Sequence, residues 1–151
     1  MSGALDLEIR SQPELWERVG PLAGRLGGLL PPGRVMFTGC GTSLYVSRAC
    51  ASLWESAGRG EADAFAASEA PSRRPYGVVV AVSRSGTTSE VLDALGRVPP
   101  SVHRVVVTAV PGSPLARAAH DSLEIPEADE RSIVQTRFAT TVVSIVRALV
   151  G

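Results

Sequence analysis

The stretch Val78 to Leu95, VVVAVSRSGTTSEVLDAL, sets five hydroxyls within seven positions, on Ser83, Ser85, Thr87, Thr88 and Ser89, around one glycine, Gly86. Serine and threonine hydroxyls beside converging backbone N–H groups are the donors that an anion needs. Gly86 gives the chain freedom for the tight turn that makes those N–H groups converge. Thr87 and Glu90 fit the S/T-x-x-E capping box, and Val91, Leu92 and Leu95 then recur at helical spacing, so a helix is expected to start here. Its unsatisfied N–H groups and positive dipole end would favour a phosphate or another dianion. Hydroxyl clusters also serve simply as caps and turns, and this stretch alone does not separate the two roles.

A second junction of the same kind weighs towards a ligand. Val35, Met36, Phe37 and Thr38 read as a short strand running into Gly39-Cys40-Gly41-Thr42-Ser43, followed by a helical pattern from Leu44 to Trp54. In a doubly wound sheet the carboxyl ends of neighbouring strands share one crevice, so two such loops can hold the two ends of one small polar ligand. Cys40 lies beside a helix start, where its pKa could fall. The plainer expectation is a small residue that fits next to a ligand.

The two loops, together with Glu130-Arg131-Ser132-Ile133-Val134-Gln135-Thr136-Arg137, resemble the three signature loops of the sugar isomerase (SIS) domain family. They are most similar to the first of the two SIS domains in glucosamine-6-phosphate synthase and related amino-sugar-phosphate isomerases or deaminases. Glu8-Ile9-x-x-Gln12-Pro13 resembles the segment that precedes that domain, and Ala67-Ser68-Glu69 resembles its second strand end. The resemblance covers almost the whole chain. It implies a three-layer αβα sandwich around a five-stranded parallel, flavodoxin-like sheet, with residues 1–33 as an N-terminal helical segment and 34–151 as a single SIS domain. It also implies a phosphorylated sugar as ligand. The phosphate would rest on Ser83, Ser85, Thr87 and Thr88, the sugar end on Cys40, Gly41, Thr42 and Ser43, and the sugar hydroxyls on Gln135. Arg84 stands where the synthase-like SQSGET pattern has glutamine, placed either to add a charge to the phosphate or to face solvent.

Aldose to ketose isomerisation needs a base near C1 and C2 and an acid to open the ring. In the two-domain relatives much of this machinery lies in the second SIS domain or beyond it, and the resemblance here reaches the first. Glu55, Glu69, Glu90 and Glu130 are the carboxylates to consider. Glu90 reads as a cap, and Glu130, beside the third loop, is the candidate base. Three roles stay open: an isomerase or deaminase acting on a hexose or amino-sugar 6-phosphate and completed by a second copy or a companion SIS chain, a phosphosugar-sensing subunit, and a scaffold.

The elements that must position these loops follow from periodicity. Ser11 and Glu14 fit a capping box, Leu15, Val19, Leu22, Leu26 and Leu29 trace one helical face, Gly20-Pro21 is expected to kink or split it, and Pro31-Pro32-Gly33 ends it. Val78 to Val82 is apolar on both parities, as in a central strand covered on both faces. Further strands are expected at Ala62 to Ala67, Arg104 to Thr108 and Ser122 to Ile125, and further helices at Leu115 to Ala119 and Phe138 to Val150. The last helix, apolar apart from Arg147, is too short for a bilayer and reads as a core or interface helix, which with the half-sized site suggests an oligomer.

Composition narrows the classes. A chain of 151 residues should form one domain that buries roughly 70% of its unfolded surface. Formal net charge is zero, so neither nucleic acid nor an anionic membrane is the expected partner. All 15 basic residues are arginine, which excludes a Schiff-base lysine and a P-loop lysine within this sequence. Cys40 and Cys50 have no companion cysteines or histidine motif for a disulfide framework or zinc site, and no cofactor is called for. Gly39-x-Gly41-x-x-Leu44 lacks the third glycine of a dinucleotide fingerprint. His103 and His120 read as solvated or structural. The start MSGALDLEIR carries acids and no long apolar stretch, so a secretory signal is not expected and a cytoplasmic location is.

Overall fold

The computed structural model describes residues 3–151. Five strands, β1 (Val35–Gly39), β2 (Ala62–Ala66), β3 (Val78–Val82), β4 (His103–Thr108) and β5 (Asp121–Glu124), form one sheet in the order β2-β1-β3-β4-β5 with every neighbouring pair parallel. This is the flavodoxin-like order, with its switch point between β1 and β3. Seven α-helices accompany them: α1 (Ala4–Arg10), α2 (Gln12–Glu17), α3 (Val19–Leu29), α4 (Thr42–Ser56), α5 (Ser89–Arg97), α6 (Pro114–Ala118) and α7 (Arg137–Val150).

Strand β3 organises the layers because all five of its residues are buried. Side chains alternate across a strand, so Val78, Val80 and Val82 join Phe37, Val105, Val107 and Leu123 against Leu26 of α3, Cys50 of α4, and Phe138 and Ile145 of α7. Val79 and Ala81 turn the other way and join Met36 and Val106 against Val91 and Leu95 of α5 and Leu115 of α6. Each fully buried valine, leucine or phenylalanine contributes roughly 1.5–3 kcal/mol, so this double coverage fixes the strand ends that carry the loops. Helix α7 proves to be a core helix, burying Phe138, Thr141, Val142, Ile145 and Val146. Among the described residues no helix is long and apolar enough to cross a membrane.

The N-terminal region departs from expectation. Residues 4–10 are already helical, so Ser11 ends α1, and its hydroxyl donates back to the Glu8 carbonyl at 2.8 Å instead of capping α2. Glu14 pairs with Arg18 instead of closing a capping box. The long amphipathic face breaks at Arg18, ahead of Gly20-Pro21, into α2 and α3.

Candidate functional site

Thr38 of β1 pairs with Ala81 of β3, so the loops that follow these strands leave the sheet side by side at the switch point. The first loop turns sharply at Gly39 and Gly41. A Cβ on Gly39 would meet the Cβ, carbonyl carbon and oxygen of Ser43 at 2.8–2.9 Å, so only glycine lets the strand end pass this close to the first turn of α4. Ser43 is buried, Thr42 is exposed and Cys40 is half-buried.

The second loop is built on its own hydroxyls. Ser83 is 3% exposed, and its Oγ sits 3.1 Å from Thr88 Oγ1 and accepts the Gly86 N–H at 3.1 Å. It therefore shapes the turn from beneath. Above it, Ser85 Oγ accepts the Thr87 hydroxyl at 3.0 Å and the Thr87 N–H at 3.3 Å. Gly86 takes φ +68, and its carbonyl accepts the Leu115 N–H at 2.9 Å, pinning the turn to α6.

The expected Thr87–Glu90 capping box does not form. Helix α5 starts one residue later, with Thr88 at the N-cap and no side chain capping it. The first N–H groups of any helix lack intrahelical acceptors, so α5 presents uncapped donors and its positive dipole end beside Ser85, Thr87 and Thr88. Glu90 is turned to the first loop, where its carboxylate accepts the Cys40 thiol at 3.0 Å. Burial, then the bond to Glu90 and its charge, push the Cys40 thiol up to about 11. The helix start does not acidify it, and Cys40 is a neutral thiol that ties the first loop to α5.

The third loop is anchored by two acids. Glu130 is 5% exposed, its Oε1 accepting from Thr136 N, Thr136 Oγ1 and Arg137 N at 2.7–3.0 Å and its Oε2 from Phe138 N at 3.1 Å. These bonds make it the cap of α7. The residue expected beside the third loop as the candidate base thus has four donors on its oxygens, which its neighbours in sequence do not reveal. Arg84 reaches from the second loop to the third. Its guanidinium donates to Asp129 Oδ1 at 3.0 Å and the Glu130 carbonyl at 2.9 Å, so it clamps the second loop to the third. The Gln135 amide oxygen is buried without a hydrogen-bond partner.

The sequence assigns no site role to three of the residues that hold this arrangement. Periodicity gives Thr108 no role beyond its place in β4, yet its Oγ1 donates to the Arg84 carbonyl at 3.1 Å. Ser113 packs against Gly86. Glu8 reaches the third loop from α1, its Oε1 accepting the Arg131 and Ser132 N–H groups at 2.6 and 3.3 Å.

The SIS domain family profile matches residues 28–150. No curated protein matches by sequence. The fold is similar to that of glucosamine-6-phosphate deaminase from Thermotoga maritima, with a TM-score of 0.83 and 24% identity over 99% of this chain and 48% of that one. It is also similar to tagatose-6-phosphate ketose/aldose isomerase from Escherichia coli, with a TM-score of 0.79 and 21% identity over 94% of this chain and 45% of that one. The Vibrio vulnificus NanR protein complexed with ManNAc-6P matches with a TM-score of 0.73 and 24% identity over 97% of this chain and 60% of that one. The chain spans about half the length of the deaminase and of the isomerase.

Proposed function

The chain belongs to the SIS domain family, and from that premise we propose that it binds a phosphorylated sugar, with the phosphate seated on the uncapped N-terminus of α5. That uncapped terminus is the observation that carries the reading. It is ringed by the hydroxyls of Ser85, Thr87 and Thr88, and Ser83 fixes their geometry from below. Hydrogen bonds to a charged phosphate contribute about 1.5–3 kcal/mol each, so three or four donors account for most of a micromolar affinity. Thr42 and the Cys40 edge then face the sugar, and the Gln135 amide, whose oxygen has no partner in the fold, serves the sugar hydroxyls.

The similar structures include a glucosamine-6-phosphate deaminase, a tagatose-6-phosphate ketose/aldose isomerase and a protein complexed with ManNAc-6P, which supports a sugar phosphate as the ligand class. As an isomerase or deaminase, the chain would act on a hexose or amino-sugar 6-phosphate with a second copy or a companion SIS chain completing the site. A second reading, sensing without turnover, draws on a specific observation: Glu130 is engaged as a cap and Glu90 accepts the Cys40 thiol, so neither stands free as a base.

Calorimetric titration with fructose 6-phosphate and glucosamine 6-phosphate, against the unphosphorylated sugars and Ser85→Ala, tests the binding. Phosphate-dependent heat that Ser85→Ala weakens is the expected result, and equal binding of sugar and sugar phosphate would overturn it. Solvent deuterium entering sugar C2 separates turnover from sensing.

A further inference from the structure

Helix α1 is amphipathic in the wrong sense for a helix packed on a core. Leu5, Leu7 and Ile9 are 39%, 59% and 45% exposed, while its one buried side chain among the described residues is Glu8, at 4%. Burying a carboxylate is costly unless donors meet it. The donors here are the Arg131 and Ser132 N–H groups, at 2.6 and 3.3 Å from Oε1, across a separation of more than 120 residues in sequence. Between Glu130, which caps α7, and Thr136, the third loop has no regular structure, and Ile133 is fully exposed. The Glu8 carboxylate is thus the contact that fixes the middle of this loop from outside it. Arg137 reinforces the strap, with Nη1 donating to Ser11 Oγ at 3.3 Å and Nε to the Asp129 carbonyl at 2.7 Å.

We propose that Glu8 is a positioning residue for ligand binding: its carboxylate holds the Arg131–Ser132 backbone so that the third loop is ordered before the sugar arrives. This rests on the phosphosugar reading given above and adds a residue outside the three loops. Burial pushes the Glu8 carboxyl up, but bonds from Ser132 and from the Arg131 backbone outweigh it and hold it below the ordinary carboxylate range, so the group is charged at neutral pH. The division of labour follows from position. Glu8 supports the loop that carries Gln135, while the phosphate seat on α5 stands on Ser83, Gly86 and α6, and its tie to the third loop, through Arg84, is made at Asp129 and Glu130 rather than at the Arg131–Ser132 backbone that Glu8 holds. Releasing the strap therefore weakens the sugar end and spares the phosphate end.

The test compares wild type, Glu8→Ala, Glu8→Asp and Glu8→Gln in the full chain, with inorganic phosphate and fructose 6-phosphate as separate probes and amide exchange at Arg131 and Ser132 as a structural readout. A loop ordered in only a tenth of the molecules raises the apparent dissociation constant about tenfold. Glu8→Ala is expected to show that loss for fructose 6-phosphate, unchanged inorganic phosphate binding, and faster exchange at both amides. Glu8→Asp keeps the charge but falls short of the donors, and should behave like the alanine variant. Glu8→Gln keeps an acceptor oxygen and should recover most of the affinity. Wild-type affinity for fructose 6-phosphate in Glu8→Ala and Glu8→Asp overturns the proposal, as does equal weakening of both probes. If the wild type binds neither probe, the phosphosugar reading falls, and unchanged exchange at Arg131 and Ser132 in the variants would refute the strap independently.

Discussion

Replacing Gly86 by alanine separates backbone strain from crowding at the heart of the site. At φ +68 any residue with a Cβ incurs the left-handed penalty of about 1–2 kcal/mol. A Cβ there would also lie 2.1 Å from Ser113 Oγ, 2.4 Å from Ser113 Cβ and 3.0 Å from Thr108 Oγ1, which forces the α6 start away from the turn. Overpacking of this kind costs about 1–3 kcal/mol, so Gly86→Ala should destabilise the fold by about 2–5 kcal/mol. Gly58, just past the end of α4 at φ +70, has nothing within 4 Å of a built Cβ, and Gly58→Ala should lose only the conformational part. Urea denaturation of the two variants reads the crowding as the difference between them. Calorimetry should add that Gly86→Ala weakens fructose 6-phosphate binding about tenfold or more, since one misplaced hydrogen bond to phosphate is worth about 1.5–3 kcal/mol. Gly58→Ala should bind as wild type. Equal stability of the two variants would refute the claim that the turn is wedged against Ser113.

Other perturbations test the ties between the loops. Cys40 should react slowly with iodoacetamide at neutral pH, and Glu90→Gln, which removes the carboxylate that holds the thiol proton, should speed the reaction as measured by mass spectrometry. Because the folded thiol keeps its proton more tightly than its ordinary value of 9.0, the stability linked to Cys40 should be complete below pH 9 and fall as pH rises through about 11, an effect that Cys40→Ser abolishes in alkaline melts. Glu130→Ala should leave the Phe138 N–H buried without an acceptor and cost about 1–3 kcal/mol, visible as lost amide protection over the first turn of α7. Glu130→Gln should lose less, because its amide oxygen can still accept.

Much of the fold was legible because it depends on burial patterns. Val78 to Val82, apolar on both parities, could only be a covered central strand, and glycine-rich turns at the ends of β1 and β3 marked the crevice. The start of α5 was harder to place. Thr87 and Glu90 have the spacing of a capping box, but spacing registers only local partners, and in the fold Cys40 competes for the carboxylate and Ser85 for the hydroxyl. The same limitation affects Glu130 and Arg84. Their neighbours in sequence identified the loop they serve, whereas their hydrogen bonds depend on where α7 and the third loop meet. Helix α1 left little signal, since its apolar residues face outward and the side chain it buries is an acid whose donors lie at the other end of the chain. Hydrophobic periodicity identifies helices that bury apolar stripes, and α1 is not one of them.

The phosphate seat can be tested directly by following backbone amide resonances of the labelled chain during titration with fructose 6-phosphate, and with inorganic phosphate as the minimal probe. The account predicts that the amides of Gly86 through Glu90, around the uncapped start of α5, move together and saturate with both probes, with Gln135 responding only to the sugar phosphate. Saturable shifts centred elsewhere, or none at the α5 start while fructose 6-phosphate binds, would contradict it.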